Sequence, residues 1–541
     1  MKTRLSKQRT RLTRDREKRA GKEKTKASRT GGLLQHPAWR VLIMLAAWLI
    51  SVALVYSELF SKMAAADYFG IILNMGPAVF LFLCLLGCAL FLDVVNPAVL
   101  RSTKLLFLLA VLVLSSAALS GLLLYVGREL NLDDLIIVFF LPVTVVSMVC
   151  VLLLDPYTAT VAGLWTGLVV ALMLPFPLEV LLMSMIGIAV SVWMVRGVRT
   201  RTKVVRAGIV TGVAQAACIM GFAFYNGHVV TPPVAIGMAA ASVAGGLMVA
   251  IITLLILPFL EMSFGLTSDL ALFDLSDLGH PLLQRLALEA PGTYHHSLVV
   301  ANLAQAAAEE IGANGLLTRV GAYYHDIGKL VKPHFFAENM RLQDNPHDEL
   351  PPSMSTLVIT AHVKEGLSLA MLHKLPAPIR DMIQEHHGTS VLSCFHHKAR
   401  QQMELGFARN GDRGRVADGD FRYSGPKPHS REATILSLAD PVEAASRSLE
   451  RIAPANIESL VDDIVEQRFE DGQLSNSALS MQELTSVKRS FVHTLCNMLH
   501  ARVSYPKNDE DKDQQNSAEL QGKQPDSSAN NETDAGPRSE G

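Results

Sequence analysis

The sequence predicts an all-α protein in which a polytopic helical membrane domain is followed by an all-helical cytoplasmic domain. Three observations support this fold class. Half of the 541 residues are apolar and only 18% are charged, against roughly 25% in an average soluble domain. Long apolar segments are confined to the first half of the chain. In the second half, apolar residues recur every three or four positions, which is the period of a helix with one buried face.

The membrane domain is predicted over residues 38–262 and contains about eight apolar segments. Several of them reach the ~20 residues that a helix needs to cross a ~30 Å hydrocarbon core. The segments lie near 39–57, 70–93, 104–127, 134–154, 158–174, 177–195, 207–225 and 233–260. The fifth and sixth are shorter and are separated only by Pro175, Phe176 and Pro177. They form either two spans joined by a tight turn or one re-entrant pair.

Basic residues indicate how this domain is oriented. The tail at 1–37 is strongly basic, with thirteen Lys and Arg among its first 30 residues, and should stay in the cytoplasm. Eight alternating spans then place the basic loops at 101–104 and 196–206 on the same side, whereas the predicted outer loops carry only Lys62 and Arg128. An even number of spans returns the C-terminal half to the cytoplasm. The expected location is therefore the inner (cytoplasmic) membrane, with many passes.

The two ends of the chain differ in charge and in expected partners. The basic tail suits either nucleic acid or anionic lipid. It has no aromatic residue for base stacking and precedes a span, so membrane lipid is favoured and no DNA or RNA is expected. The tail at 506–541 is acidic and polar and is predicted to be disordered. Six cysteines in a chain of this length exclude a disulfide scaffold. A homo-oligomer is compatible with the sequence but is not indicated by it.

The cytoplasmic domain is predicted over residues 263–505, which is long enough for a substantial core. Strand signals are almost absent. Helical patterns lie at 297–312, 316–328, 355–374, 376–386, 431–449, 456–470 and 481–503. One loop-like insertion, at 405–428, is rich in Gly, Arg, Asp and Pro.

Polar residues interrupt these helical patterns at five places. They are His295, His296, His325, Asp326, His362, His386, His387 and Asp440. One buried histidine is usually a core residue bonded to a carbonyl. Six histidines and two aspartates in one domain are harder to explain in that way, because burying so many polar groups without partners is costly. Imidazole with carboxylate suits Fe, Mn, Zn or Co. The set is too large for one ion, so two ions sharing a carboxylate fit better.

The residues around these positions resemble those of a known family. The run HDIGK at 325–329 resembles the HD-domain metal-dependent phosphohydrolases. The runs PGTYHHS, VGAYYHDIGK, KPHFFAEN, ITAHVKEG, EHHGT, FRYSGPKP and LADPVEAASRSL resemble the subfamily of seven-transmembrane receptors with an intracellular HD hydrolase. The resemblance covers 38–505 and implies a membrane phosphodiesterase that hydrolyses cyclic di-AMP to the linear dinucleotide at a two-metal site. Family members typically carry a large extracellular domain after the first span, whereas here only 58–69 separates the first two spans.

The resemblance also implies a set of metal ligands. Two divalent transition-metal ions, Mn or Fe, would share the carboxylate of Asp326, which is also the predicted catalytic centre. One ion would be held by His296, His325, Asp326 and Asp440. The other would be held by Asp326, His362, His386 and His387.

Three more residues are predicted to support the site. Lys329 lies three residues after Asp326 and is expected to contact the scissile phosphate, so we predict a catalytic and substrate-binding role; the alternative is a lysine that extends into solvent. Glu443 and Arg447 share a helical face with Asp440. They either support the metal ligands or form an ordinary pair one helical turn apart. His295 is expected to be structural.

Two classes of function compete on these observations. The first is a membrane-bound phosphodiesterase acting on cyclic di-AMP or, as a variant, on another nucleotide. The second is a catalytically silent membrane receptor that only binds nucleotide. A complete ligand set favours the enzyme, because a silent relative would be expected to have lost ligands.

Overall fold

Helices form every regular element of the part of the chain that the computed structural model describes. The described residues are 36–61, 75–175, 177–227, 229–340, 345–410, 417–449 and 453–500. Within them the predicted all-α class is confirmed, and the β-type pairing is limited to an isolated bridge between Val391 and Arg422. The predicted basic tail, apart from its last two residues, and the predicted acidic tail lie outside the described residues.

The membrane half follows the predicted segments closely. Its helices are α1 (Pro37–Ser61), α2 (Gly76–Val95), α3 (Pro97–Arg101), α4 (Thr103–Glu129), α5 (Asp134–Ile137), α6 (Val143–Leu153), α7 (Pro156–Leu172), α8 (Pro177–Val195), α9 (Arg201–Tyr225) and α10 (Pro232–Phe264). Among the described residues, six helices are long and apolar enough to cross a membrane: α1, α2, α4, α8, α9 and α10. The 17 residues of α7 measure about 26 Å at ~1.5 Å per residue, slightly less than a ~30 Å hydrocarbon core.

The fourth predicted membrane segment is interrupted rather than continuous. It consists of α5, a 3₁₀ turn at Val138–Phe140, and α6, which begins after Pro142. Pro142 has no N–H to donate, and its carbonyl accepts a hydrogen bond of 2.9 Å from Ser116 at the middle of α4. Gly245 of α10 lets the turn pack closely, because a Cβ there would lie 2.0 Å from the carbonyl oxygen of Phe139. The irregular backbone is therefore enclosed by protein, as it must be at membrane depth.

Polar contacts between helix ends define two faces of the membrane half. At one face Arg128, at the end of α4, donates to Glu58 near the end of α1 (2.8 Å) and to Asp134 at the start of α5 (3.2 Å). At the other face Asn96, after α2, donates to Asp155 (2.7 Å). Asp155 also caps the first turn of α7. Hence α1 and α4 run in the same direction, and the interrupted segment passes from one face to the other.

The C-terminal half contains ten helices over the described residues. They are α11 (Asp269–Leu275), α12 (Pro281–Glu289), α13 (Pro291–Glu310), α14 (Gly315–Tyr324), α15 (Pro352–Leu372), α16 (Ala377–Glu385), α17 (Ser393–Asn410), α18 (Arg431–Ser446), α19 (Pro454–Glu470) and α20 (Met481–His500). Seven correspond to predicted helical patterns, whereas α11, α12 and α17 were not predicted. The predicted loop at 405–428 was wrong for its first six residues, because α17 continues to Asn410.

Helix α18 lies at the centre of the C-terminal half. It packs against α13, α14, α16 and α19, and residues 433–440 are all buried. A helix that is covered on all sides is apolar around its whole circumference. Asp440 and Glu443 are therefore exceptions within this helix, and their carboxylates need partners in the interior.

The two halves are joined by a short, hydrogen-bonded connection. Helix α10 ends at Gly265, whose positive φ of 52° is the left-handed cap that glycine adopts most readily. The backbone N–H of Ser268 donates to the carboxylate of Glu261 (2.8 Å), and Ser268 in turn caps α11. Arg201, at the start of α9, pairs with Asp274 in α11 at 2.9 Å. The chain therefore passes from the last membrane helix into α11 within a few residues.

Candidate metal centre

All seven side chains that the sequence predicts as metal ligands meet in the interior of the C-terminal half. They are His296 in α13, His325 and Asp326 after α14, His362 in α15, His386 and His387 after α16, and Asp440 in α18. Six of the seven are buried, and His387 is partly exposed. His295, the neighbour of His296, is exposed and faces away from the site.

The HDIGK run does not continue helix α14, although a helical pattern was predicted over 316–328. The α-helix ends at Tyr324, and the chain continues as a 3₁₀ helix over Ile327–Val331. Gly328 lies directly against α15, where a Cβ would be 1.9 Å from the carbonyl oxygen of His362. This contact holds the turn at Asp326 against α15. It also places Lys329 over Asp326, because side chains three residues apart are eclipsed in a 3₁₀ helix.

Backbone carbonyls orient three of the histidines. The Nδ1–H of His325 donates to the carbonyl of Ala322 (2.7 Å), and His362 and His386 donate in the same way to the carbonyls three residues before them (2.6 and 2.9 Å). A carbonyl can only accept, so Nδ1 carries the proton in each ring. The Nε2 atoms, with their lone pairs, are left to face the centre. Metal-ligating histidines are commonly oriented by such a hydrogen bond from the second nitrogen.

The carboxylate of Asp326 faces two groups of histidines. Its Oδ2 lies 3.1 Å from Nε2 of His325 and 3.7 Å from Nε2 of His296. Its Oδ1 lies 3.4 Å from Nε2 of His362 and 3.7 Å from Nε2 of His386. The side chains of Asp326, His362, His386 and His387 form one group whose ligand atoms lie within 4.8 Å of one another, and His296, His325 and Asp326 form a second.

Asp440 joins the second group through His296. Its Oδ1 lies 3.0 Å from Nε2 of His296, and its Oδ2 lies 3.5 Å from Nδ1 of His387. On the other side of the His296 ring, Nδ1 lies 2.5 Å from Glu443, whose carboxylate also accepts two hydrogen bonds from Arg447 (2.8 and 3.0 Å). Glu443 and Arg447 therefore form a pair one helical turn apart, and Glu443 also contacts His296.

The electrostatics favour cation binding. Burial, together with the neighbouring His325, lowers the pKa of His386 to about 3. Burial and the adjacent His386 hold the pKa of His387 well below its usual value. Burial alone would raise the pKa of Asp326, but His325 and Lys329 outweigh it and hold that pKa well below its usual range. Neutral imidazoles and an ionised carboxylate are the forms that bind metal.

His296 is the exception among the histidines. Burial would lower its pKa, but the hydrogen bonds with Asp440 and Glu443 outweigh burial and raise the pKa to about 9. A metal ion binding at Nε2 of His296 must therefore displace a proton.

Two observations indicate that these residues fit a metal centre. First, imidazole and carboxylate are suitable ligands for divalent transition metals. Second, Nε2 of His325 and Oδ1 of Asp326 are buried and find no hydrogen-bond partner among the described residues. Buried polar atoms without a partner are rare and costly, and a cation would satisfy both.

Lys329 does not extend into solvent, since its side chain is only 12% exposed. Its Nζ lies 2.8 Å from Asp326 and 2.7 Å from Glu338, and it also lies 5.0 Å from the ring centroid of Phe336. Burial would lower its pKa, but Asp326 and Glu338 outweigh burial and raise it. Lys329 therefore carries its positive charge at the edge of the centre at all physiological pH values.

A cavity of about 560 Å³ opens onto this centre and is here called the central cavity. Four of the predicted ligands line it: His296, His362, His387 and Asp440. Three cationic side chains, Lys329, Arg447 and Arg468, also line it. A cleft with several positive charges above a potential metal site attracts anions such as phosphate.

Sequence reasoning missed three residues of this site. Glu338 pairs with Lys329, the ring of Tyr423 stacks on His387 at 4.2 Å between centroids, and Arg468 lines the cavity. Glu338 and Tyr423 lie in the runs KPHFFAEN and FRYSGPKP, which the resemblance had singled out without assigning roles. Arg468 lies in a predicted helix, and nothing in the helical pattern distinguished it from other surface arginines.

Two family models match the chain. The model described as "7TM receptor with intracellular HD hydrolase" matches residues 71–268, and the model described as "HD domain" matches residues 293–445. The chain therefore matches, in sequence order, the membrane region of this family and an HD domain. The first match covers the membrane half from α2 to α10. The HD-domain match contains all seven side chains of the candidate metal centre.

The chain spans only about two fifths of the length of the curated relatives that it matches. Over 264 residues it is 43% identical to the cyclic-di-AMP phosphodiesterase PgpH of Bacillus subtilis, covering 49% of this chain and 36% of that protein. Over 325 residues it is 37% identical to the cyclic-di-AMP phosphodiesterase PgpH of Listeria monocytogenes, covering 60% and 44%. A crystal structure of the L. monocytogenes PgpH HD domain with cyclic-di-AMP is 43% identical, covers 42% of this chain and 100% of that chain, and has a TM-score of 0.38.

Proposed function

We propose that this chain is a membrane-bound, metal-dependent phosphodiesterase that hydrolyses cyclic di-AMP to the linear dinucleotide pApA. The observation that carries the proposal is the carboxylate of Asp326, which faces two groups of histidines at the base of a cavity lined with cations. The B. subtilis and L. monocytogenes relatives are named as cyclic-di-AMP phosphodiesterases, which supports the choice of substrate.

The proposed cofactors are two divalent transition-metal ions, Mn or Fe. His296, His325, Asp326 and Asp440 would hold one, and Asp326, His362, His386 and His387 would hold the other. Ions of this kind lower the pKa of water and stabilise negative charge on phosphoryl oxygens. The carbonyls that bind each Nδ1–H keep the Nε2 atoms directed at the centre. Glu443 does the same for His296 from the opposite side of its ring.

Lys329 has two roles in this proposal. Its ion pair with Asp326 fixes the orientation of the shared carboxylate, and its ammonium group lines the cavity through which a phosphate must approach. Glu338 holds the lysine in place, and Thr293 donates to the same oxygen of Glu338 (2.9 Å). A preorganised cation at this position stabilises charge on a phosphoryl oxygen without reorganising during the reaction.

The decisive experiment is a substrate survey with the full chain purified in detergent. The protein is incubated with Mn²⁺ or Fe²⁺ and separately with cyclic di-AMP, cyclic di-GMP, cyclic AMP and linear dinucleotides, and the products are separated by chromatography. We expect conversion of cyclic di-AMP to pApA, lost on chelation and restored by the metal. Hydrolysis of a different nucleotide would reassign the substrate. Tight binding of cyclic di-AMP without hydrolysis under any metal would instead support a silent receptor.

Replacing Lys329 tests its assigned role. Lys329→Gln is expected to lower kcat/KM for cyclic di-AMP by about 10²–10³-fold, as when one preorganised group is removed from a site of developing negative charge. Initial rates and bound metal are measured together. Lys332→Gln is the matched control, because Lys332 lies on the same stretch of chain but is exposed. Equal activities in the two variants would remove Lys329 from the mechanism.

We also infer that the membrane half crosses the bilayer eight times and leaves the HD domain in the cytoplasm. The contacts of Arg128 with Glu58 and Asp134 at one face, and of Asn96 with Asp155 at the other, agree with alternating crossings that include the interrupted segment. The basic loops fall at the second face, as the positive-inside rule requires of a cytoplasmic face.

Reporter fusions test this topology. A reporter fused after Arg199, between α8 and α9, is expected to be cytoplasmic, and one fused after Asn226, at the end of α9, is expected to be extracytoplasmic. Paired alkaline phosphatase and fluorescent protein fusions distinguish the two sides. A cytoplasmic signal at both positions would contradict the eight-span arrangement.

A further inference from the structure

A second cavity, here called the side cavity, adjoins the central cavity and has a volume of about 590 Å³. Four residues line both cavities: Ser390, Val391, Pro441 and Arg468. None of the predicted metal ligands lines the side cavity. Its walls instead include the hydroxyl of Ser393, the amide of Gln467 and the carboxylates of Glu470 and Asp471. Each cavity lies in the ~300–1,000 Å³ range of small-molecule sites.

Arg468 lies at the junction of the two cavities, in the last turn of α19. The other two cations of the central cavity have carboxylate partners: Lys329 pairs with Asp326 and Glu338, and Arg447 pairs with Glu443. Arg468 forms no salt bridge with the described residues. Its Nη1 donates one long hydrogen bond, of 3.4 Å, to the carbonyl of His387.

Asp440 and Asp471 are the carboxylates whose negative charge acts on the Arg468 guanidinium, and both are already bonded to other residues. Asp440 interacts with His296, and Asp471 accepts hydrogen bonds from Arg422 and Gln473 (both 2.7 Å). A guanidinium that is partly removed from water and has no bonded carboxylate is costly unless another anion satisfies it. Its planar fork of donors matches the oxygens of a phosphate.

We infer that Arg468 binds the second, non-reacting phosphate of a cyclic dinucleotide, while the nucleoside beyond that phosphate occupies the side cavity. The inference rests on the proposed function and deepens it. A cyclic dinucleotide carries two phosphodiester charges on one ring. When one phosphate lies beside Lys329 at the metal centre, the other still needs a cation elsewhere on the walls of the two adjoining cavities. Arg468 is the lining cation that has no carboxylate partner among the described residues.

The test compares a substrate with two phosphates and a substrate with one. Full-length protein and its Arg468→Gln variant are assayed with Mn²⁺ on cyclic di-AMP and on bis(p-nitrophenyl) phosphate, a diester with a single phosphate. The ratio of kcat/KM for cyclic di-AMP to that for the single diester is expected to fall about ten- to a hundredfold in the variant, as for loss of a charged hydrogen bond. The change should appear mainly in KM. Arg468→Lys, which keeps the charge, should recover part of the ratio.

Arg285→Gln serves as the matched control, because Arg285 forms an exposed pair with Glu289 and lines neither cavity. Its ratio should equal that of the unmodified protein. Equal losses on both substrates in Arg468→Gln would make Arg468 a structural residue and overturn the inference, as would full activity on both substrates. Failure of the proposed function gives a different result. In that case the unmodified protein cleaves the single diester but no cyclic dinucleotide, and the inference falls with it.

Discussion

Asp326→Asn is expected to abolish hydrolysis of cyclic di-AMP and to lower the metal content of the purified protein. The amide keeps the size of the side chain but loses the charge that faces both groups of histidines. It also cannot offer two equivalent acceptor oxygens to them. Mispositioning of reacting groups by ~1 Å can cost ~10²-fold in rate, and loss of metal should cost more. Activity, metal by elemental analysis and thermal unfolding are measured on the same preparation.

Asp381→Asn is the control, because Asp381 lies on α16 close to His386 in sequence but is exposed. It should retain full activity and metal. Asp326→Asn should remain folded, because the amide can still bond Lys329 and its neighbours. If Asp326→Asn kept most of its activity at saturating metal, the shared-carboxylate centre would be wrong, and hydrolysis would have to depend on other residues of this domain.

Gly328→Ala is expected to destabilise the HD domain and to move Asp326 away from the other side chains of the candidate metal centre. A Cβ at this position would lie 1.9 Å from the carbonyl oxygen of His362 and 2.5 Å from the backbone nitrogen of Gly366. Both atoms belong to the backbone of α15, so no side-chain rotation relieves the overlap. The 3₁₀ helix must move away from α15, which separates Asp326 from His362. Overpacking of this kind costs about 3 kcal/mol, and thermal unfolding together with metal content would show it.

Gly419→Ala is the corresponding control, because no atom lies within 4 Å of a Cβ at Gly419. Its unfolding temperature and activity should match those of the unmodified protein. If Gly328→Ala unfolded at the same temperature and kept its metal, the close packing of the HDIGK turn on α15 would not be what holds Asp326 opposite His362.

The sequence alone was sufficient for the helical class and the positions of the membrane segments, and it singled out the seven side chains that meet in the C-terminal half. Apolar segments long enough to cross a bilayer are a local property of the chain, so their positions can be read without knowing what they contact. The ligands were also conspicuous, because polar residues stood out against apolar helical faces. The family resemblance then assigned them to two ions.

Features that depend on two distant parts of the chain could not be predicted in this way. The break before Pro142 depends on how closely α10 approaches at Gly245, and the early end of α14 depends on the contact between Gly328 and α15. Both breaks replace helical hydrogen bonds with tertiary contacts. A helical period cannot report such contacts, because it records only which face of a segment is apolar.

The sequence by itself thus determined which residues are available to bind metal, and the tertiary structure decided what each of them faces. Asp326 faces both groups of histidines because α14 ends before it and the following turn packs on α15. Lys329 is held between Asp326 and Glu338, whereas Arg468 has no such partner among the described residues, although both are basic residues at or near the end of a predicted helix. The difference arises from packing. A basic side chain can bind an anionic ligand only where the fold places no carboxylate of the protein against it.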